Sequence, residues 1–328
     1  MKWSINIYDY RDLLKAVNVG INDALCNPKL KEPQIIANLV WTLPRAINAF
    51  SLGRKWTLKS GGVFVHSRPL VKFNNQKQVS VSVEIGDLLL LRTEVSGEKV
   101  TDRRALLLQA KKVSKFPATP DNDDQHDLYA NWPLFEYIYS TSALNNKKRH
   151  ITGLDLHDAS RFLLIGDRTV EHFHCLECCH SFYPCFCQVL TASPTKPKLS
   201  HHRCFVSELV DFLLGDAGKT FKNPPPARTR NWDKVINDLV TVTAKRRSAF
   251  VKSPEGTTRG QGNVFFFLSG VQPINYGLLH ALWDGEVSQN EKANDGPPQV
   301  PAQWTKSDSE NNGISVIEFI VSNERRVE

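Results

Sequence analysis

The sequence predicts an α/β protein: a central mixed β-sheet flanked by helices, with a further α/β extension toward the C-terminus. Near the N-terminus, Leu13, Leu14, Val17 and Ile21 recur at helical spacing and define one apolar face. Three β-rich runs then follow one another, WTLKSGGVFVHS, VSVSVEIGDLLLLRTEV and ALLLQAKKV. Because helical and β-rich segments alternate along the chain, we expect layers of both kinds around one apolar core.

The individual elements follow from local signals. The first helix is predicted from Tyr8 to Ala24, and the second spans EPQIIANLVWTLPRAINAF. Pro33 stands near the start of this second helix, where proline is tolerated, whereas Pro44 is predicted to bend or break it. The turn residues Ser96 and Gly97 predict that the last two β-rich runs are antiparallel neighbours.

Beyond these runs the pattern predicts a short helix in QHDLYANW, a restart or kink of the chain at Pro133 before PLFEYIYS, and a strand in RFLLIGDR. In the second half, VSELVDFLLGDAGKTF and NWDKVINDLVTVTAKRR predict helices, while GNVFFFLSG and GISVIEFIVS predict strands. We therefore divide the chain into a core with its N-terminal helices at 1–190 and an accessory region at 191–328. The accessory region either packs on the same core or forms a separate unit.

Composition limits the class of protein. The net charge of +7 over 328 residues favours an anionic partner, nucleic acid above all. No apolar run reaches the roughly 18 to 20 residues of a membrane span, and the N-terminus lacks the apolar core of a secretory signal. We therefore expect a cytoplasmic protein with no membrane partner. Three basic clusters, KKVSK (111–115), NNKKRH (145–150) and AKRRS (244–248), are either contacts for a nucleic-acid backbone or solvated faces.

The stretch ALLLQAKK breaks the pattern of a buried strand. Its apolar residues lead into Gln109 and Lys111, which are two positions apart and so share one face of the strand. Asp87 follows Gly86 at the point where an alternating run becomes continuously apolar on the preceding strand. A carboxylate, an amide oxygen and a lysine on neighbouring strands are the groups that metal-assisted hydrolysis of a phosphodiester needs.

With a helix before and a helix after, Asp87 and Gln109-Ala110-Lys111 resemble the PD-(D/E)XK nuclease superfamily, in the D…QxK variant of Mrr-like nucleases. Gln125 to Tyr129 is similar to the QxxxY motif of its RecB-like branch, downstream of the lysine strand. Glu32 opens the helix before the sheet, where the superfamily places an additional acid. The resemblance covers roughly residues 25 to 170.

The resemblance implies a restriction-endonuclease-like core and a metal-dependent nuclease acting on DNA, with anti-phage or mobile-element defence as the expected setting. It implies Mg²⁺ or Mn²⁺ held by Asp87, the Gln109 oxygen and Glu32. Lys111 is then expected to position the attacking water, and Gln125 and Tyr129 to orient the substrate. These assignments make Asp87, Gln109, Lys111 and Glu32 the candidate catalytic residues.

Each of these residues also fits a purely structural role. Lys111 is equally placed to face solvent where the strand ends, and Tyr129 to pack in the core with nearby aromatic residues. Glu32 is also a favourable first-turn residue for a helix. Gln109 stands where the superfamily usually has Asp or Glu, and its amide oxygen carries no charge. A second function therefore stays open: a nuclease fold that binds nucleic acid, or acts as a scaffold, without cutting.

Five cysteines cluster in EHFHCLECCHSFYPCFC. Cys175, Cys178 and Cys185, with Cys26 earlier in the chain, resemble the ligand set of iron–sulfur RecB-like nucleases. Thiolates bind zinc or an iron–sulfur cluster, and the sequence does not separate the two. Free buried cysteines are the alternative. This cluster also allows a third function, a metal-stabilised interaction protein with a protein partner at the C-terminal region.

Overall fold

The computed structural model describes thirteen stretches of the chain. They are residues 5–27, 29–51, 56–65, 69–97, 99–116, 118, 122–138, 144–153, 156–166, 173–174, 186–227, 231–250 and 313–322. Five α-helices lie within these stretches. They are α1 (Ile7–Ala24), α2 (Glu32–Ser51), α3 (Asp123–Asn131), α4 (Phe205–Leu214) and α5 (Trp232–Phe250), and a short 3₁₀ helix spans Leu156–Asp158.

The strands fall into a large sheet, a smaller sheet and a short pair. They are β1 (Thr57–Val63), β2 (Leu70–Asn74), β3 (Ser80–Glu84), β4 (Leu88–Ser96), β5 (Lys99–Val113), β6 (Phe135–Ile138), β7 (Lys148–Arg149), β8 (Ser160–Gly166), β9 (Phe173–His174), β10 (Phe186–Cys187), β11 (Val189–Ser193), β12 (Ser200–Cys204), β13 (Lys219–Thr220) and β14 (Ser315–Ser322).

The large sheet has eight strands in the order β1-β14-β4-β5-β8-β11-β12, with β13 paired to β5 outside this path. Strands β4 and β5 are antiparallel, whereas β5 runs parallel to β8 and β14 runs parallel to β4. The sheet is therefore mixed. Its helical flanks complete an α/β architecture, so the predicted fold class is confirmed, as is the antiparallel pairing of β4 with β5.

Helices cover both faces of the large sheet. On one face α2 packs close to β1, since a methyl group added at Gly62 would meet the side chain and carbonyl of Val40. Helix α4 lies on the same face, where Phe212 meets Phe319 of β14 edge to face. On the other face Phe162 of β8 contacts His126 and Tyr129 of α3. This second face, covered by α3, carries Gln109, because Gln109 pairs in register with Phe162.

Two N-terminal helices pack against each other and on the sheet. Helix α1 begins after Asn6, whose side chain accepts hydrogen bonds from the amides of Tyr8 and Asp9. Asp9 is itself buried and accepts a hydrogen bond from the Trp56 indole. Helix α2 continues without a break through Pro44 to Ser51, so the predicted alternative of a break is wrong.

The run VSVSVEIGDLLLLRTEV forms two strands and not the single strand that its sequence predicts. Its first part is β3, which belongs to a four-stranded sheet of order β3-β2-β6-β7. Its second part is β4, in the middle of the large sheet. Residues 85–87 connect the two, and this change of sheet places Asp87 at the start of β4.

Strands from the C-terminal half enter the large sheet. Strand β14 lies between β1 and β4, and β11 and β12 extend the sheet beyond β8. Seven of the eight residues of β14 are buried. The division of the chain near residue 190 stays a prediction. Among the described helices, none is long and apolar enough to cross a membrane.

Candidate active site at the end of strand β5

Asp87 reaches the large sheet through a tight connection at Gly86, where two neighbouring side chains leave little room for a Cβ atom. A methyl group at Gly86 would lie 2.8 Å from both Leu107 and the Tyr129 hydroxyl. The Asp87 amide then donates to the Leu108 carbonyl at 2.9 Å, which continues the ladder between β4 and β5 by one residue. As a result, the Asp87 side chain lies beside the final residues of β5.

Two donors from β5 bind the same oxygen of Asp87. The Ala110 amide donates to Oδ2 at 2.7 Å, and the Gln109 side-chain nitrogen Nε2 donates to the same atom. Gln109 is 3% exposed. With Nε2 turned toward Asp87, its oxygen Oε1 is buried and accepts no hydrogen bond from the described residues. A buried acceptor without a donor is costly, and a water molecule or a cation beside this oxygen would remove that cost.

The electrostatic surroundings of Asp87 disfavour its charge. Burial is the largest effect, the Glu84 carboxylate is the second, and together they raise the pKa of Asp87 to about 7 from its ordinary 3.8. The Ala110 amide lowers this pKa, Glu32 raises it, and Lys111 lowers it. Two further acids and one lysine are therefore close enough to act on the Asp87 carboxyl at this edge of the sheet.

Lys111 lies on the same face of β5 as Gln109, as the spacing of the two residues predicts. Its side chain is half-buried. Its ammonium acts on Asp87, because it is one of the groups that lower the pKa of that carboxyl. The structure thus brings together the three residues of the D…QxK pattern.

Glu32 begins α2, and one of its oxygens is bound to the backbone of β5. The Lys112 amide donates to Glu32 Oε1 at 2.6 Å. This bond joins the start of α2 to the end of β5 and places Glu32 within electrostatic reach of Asp87. Its other oxygen, Oε2, accepts no hydrogen bond from the residues that the structure describes.

Tyr129 and Gln125 lie on α3, one helical turn apart. Tyr129 is buried, donates from its hydroxyl to the Ile85 carbonyl at 2.8 Å, and stacks on Trp132. Burial and the Asp87 charge raise its pKa well above 10.0, so it stays neutral. In this position Tyr129 supports the backbone that leads into Asp87. Gln125 is also buried, and its Oε1 has no hydrogen-bond partner among the described residues.

The proposed cysteine ligands fall largely beyond the described stretches. Cys175, Cys178 and Cys185 lie outside the described residues. Cys26 is a free, exposed cysteine after the end of α1. The prediction of a zinc ion or an iron–sulfur cluster therefore stays a prediction.

The site offers oxygen ligands for a hard divalent cation. Asp87 Oδ1, Gln109 Oε1 and Glu32 Oε2 are carboxylate and amide oxygens without hydrogen-bond partners in the described part of the chain. Oxygen donors of this kind are the usual ligands of Mg²⁺ or Mn²⁺, whereas iron–sulfur clusters are held by thiolates. Within the described ranges, no three His, Cys, Asp or Glu side chains stand close enough to hold a metal by themselves. A cation held here would therefore draw on the Gln109 amide as well as on carboxylates.

Sequence reasoning missed two contributions to this site. The alternation of a continuous strand predicts Glu84 on the opposite face from Asp87, but the break at residues 85–87 puts its charge beside Asp87. The signal was Gly86, which allows the break. The second is the anchoring of α3 by residues 195–196, which no local pattern shows. His126 Nε2 lies 2.7 Å from the Thr195 carbonyl, and Lys196 pairs with Asp127 at 2.6 Å.

Comparison with protein-family models, with curated proteins and with solved structures finds no match to this chain.

Proposed function

We propose that this protein is a metal-dependent nuclease that hydrolyses phosphodiester bonds of DNA. The observation that carries the proposal is the meeting of Asp87, Gln109 and Lys111 where β4 begins and β5 approaches its end. A carboxylate, a buried amide oxygen and a lysine at one point suit the neutralisation of a phosphate under attack.

The residues of the chain have distinct parts in this proposal. Asp87, Gln109 Oε1 and Glu32 would hold Mg²⁺ or Mn²⁺, which when bound neutralises phosphate charge and lowers the pKa of water. Lys111 positions the attacking water and stabilises negative charge that develops on the phosphate oxygens. The Ala110 amide fixes Asp87 Oδ2, so the carboxylate keeps one orientation.

The second candidate is a nuclease fold that binds nucleic acid without cutting it. Two features of Gln109 favour it. The hydrogen bond from Gln109 occupies one oxygen of the Asp87 carboxylate. Gln109 is also an amide at a position where the superfamily usually has an acid. With one less negative charge, the site binds a divalent cation more weakly than a pair of acids would. This candidate predicts binding of DNA with no cleavage.

Cleavage of plasmid DNA separates the two candidates. We expect the wild-type chain to nick or linearise plasmid with Mg²⁺ or Mn²⁺ and to lose this activity with EDTA. Asp87→Ala and Lys111→Ala should each abolish cleavage. Lys99→Ala is the matched control, because Lys99 lies at the other end of the same strand and is exposed.

A metal-binding readout makes the test independent of activity. A cation that binds the folded protein raises its thermal midpoint in proportion to the logarithm of its concentration. We expect Mn²⁺ to raise the midpoint of the wild-type chain and to leave that of Asp87→Asn unchanged. DNA binding with neither cleavage nor a metal-dependent shift would rule out the nuclease in favour of the second candidate.

A further inference from the structure

Two segments that are far apart in sequence meet beside the candidate active site. One is the connection from α1 into the first residue of α2, described at 27 and 29–32, and the other is the end of β5 with the two residues after it, at 111–115. The Lys112 amide donates to Glu32, and the Lys112 ammonium donates to the Leu30 carbonyl at 3.2 Å. These two hydrogen bonds hold the segments side by side.

The joined segments carry a concentration of positive charge, which we name the cationic rim: Lys29, Lys31, Lys112 and Lys115. All four side chains are exposed. Lys111, which acts on Asp87, belongs to the same segment as Lys112. Glu32 is the one acid in these two segments, and it is engaged with the Lys112 amide. A surface with this excess of lysine over acid favours a polyanion.

The backbone that carries the rim is fixed by local hydrogen bonds. Asn27 Oδ1 accepts from the Lys29 amide at 3.0 Å, and Gln34 Oε1 accepts from the Lys31 amide at 2.8 Å. The Lys31 carbonyl in turn accepts from the amides of Gln34 and Ile35, in the first turn of α2. The lysines of the rim therefore project from a preformed turn and not from a flexible tail.

We infer that the cationic rim binds the phosphate backbone of duplex DNA beside Asp87, at the place where α2 begins. The inference rests on the proposed function, in which the phosphate under attack lies at Asp87. The rim is then the surface that binds the neighbouring phosphates of the same DNA. A rim of exposed lysines binds phosphates without reading bases, so binding through it is independent of sequence and strongly dependent on salt. These residues are positioning residues, because they lie outside the set that would hold the metal.

The test measures binding of a short labelled DNA duplex in EDTA, so that no cleavage takes place. Lys31→Gln with Lys115→Gln removes one charge from each segment of the rim. Lys99→Gln with Lys222→Gln is the matched control. Lys99 begins β5 and lies roughly 40 Å along the strand from Lys112, at about 3.3 Å per residue. Lys222 is exposed and follows Phe221, whose amide donates to the Arg103 carbonyl, also toward the far end of β5.

We expect the rim variant to bind several-fold to about tenfold more weakly. The slope of log affinity against log salt should fall by roughly 0.9 for each phosphate that the variant no longer neutralises. The control variant should keep the wild-type affinity and slope. Lys31→Arg with Lys115→Arg should restore binding, because it keeps the charge. Circular dichroism establishes that all three variants are folded.

The outcomes separate the inference from the proposed function. Equal affinity and slope for the rim variant and the wild-type chain would overturn the inference, even if cleavage is observed. Wild-type protein without salt-dependent DNA binding in EDTA would overturn it as well. If no cleavage is found but binding depends on the rim, the inference stands and the chain is a nucleic-acid-binding protein.

Discussion

At the scale of single residues, Asp87 shows how opposing interactions are balanced at the site. Its Oδ2 accepts two hydrogen bonds, which by themselves favour the charged carboxylate. Burial and the neighbouring Glu84 outweigh these bonds, so the pKa of Asp87 is raised to about 7. At neutral pH this acid is therefore only partly ionised, and positive charge brought beside it would favour the carboxylate.

This raised pKa predicts that Asp87 makes the folded protein less stable as pH rises. Below about pH 4 the carboxyl is protonated in both states and contributes nothing. Between about pH 4 and pH 7 the unfolded chain ionises while the folded chain does not, so the free energy of unfolding falls. At 1.36 kcal/mol per pKa unit, the free energy of unfolding falls by at most on the order of 4 kcal/mol. This value is an upper limit, because part of the Asp87 surface stays accessible to solvent.

Asp87→Asn tests this behaviour, because an asparagine oxygen still accepts the bonds from Gln109 and Ala110 but cannot ionise. We expect the variant to gain stability relative to the wild-type chain as pH rises from about 5 to about 8. Urea denaturation without divalent cations at both pH values measures the difference. A difference between the two proteins that is the same at both pH values would contradict the assigned pKa.

At the scale of elements, α3 is held from both sides. Asp127 accepts hydrogen bonds from the Gln76 amide in the β2–β3 turn at 2.7 Å and from Asn131 at 2.7 Å. The same carboxylate pairs with Lys196 at 2.6 Å. Through Tyr129, α3 in turn supports the carbonyl of Ile85, two residues before Asp87. The position of Asp87 thus depends on a helix that supplies none of Asp87, Gln109 and Lys111.

Asp127→Ala is therefore expected to cost about 2 to 3 kcal/mol of folding free energy, because it leaves the Gln76 amide and Lys196 without their buried acceptor. Lys196→Met should cost less, since the Lys196 side chain is 29% exposed and the remaining carboxylate keeps two donors. Urea denaturation gives both values, and hydrogen exchange of the α3 amides locates the loss of stability. Equal costs for the two variants would argue against this asymmetry.

The elements also show what the sequence could predict. Helices α1 and α2 were predictable, because each is long and its apolar residues recur at helical spacing. The apolar run from Ala105 predicted the second half of strand β5, whereas its polar first half, Lys99 to Arg104, gave no such signal. The split of 79–95 into β3 and β4 was not, since strand-like residues stand on both sides of Gly86. Its cause is tertiary: Leu107 and Tyr129 close on the space where a side chain at position 86 would lie.

At the scale of the whole molecule, the candidate site was partly predictable. Gln109 and Lys111 share a face by the period of a strand, and their approach to Asp87 follows from the pairing of β4 with β5. The amide orientation of Gln109, the charge of Glu84 and the joining of 27–32 to 111–115 depend on interactions between distant segments. No periodicity within one segment carries that information.

Strand β14, from the C-terminal part of the chain, lies between β1 and β4 in the large sheet. We therefore expect the fold to need this strand. The ladder of β14 to β1 on one side and to β4 on the other is continuous over most of its length. Without β14, both neighbours would present unpaired backbone groups and a buried apolar surface to water, which favours aggregation.

A chain that ends at residue 312 is therefore expected to show no cooperative unfolding transition and to aggregate, because it lacks a central strand. A fragment that ends at 190 lacks the same strand and should behave in the same way. A chain that ends at 322 is the matched control, since it keeps the whole of β14. Thermal unfolding followed by circular dichroism, with size-exclusion chromatography, measures both properties. If the 1–190 fragment instead unfolds cooperatively as a monomer, it is an independent domain, and β14 is an addition to a core that is already stable.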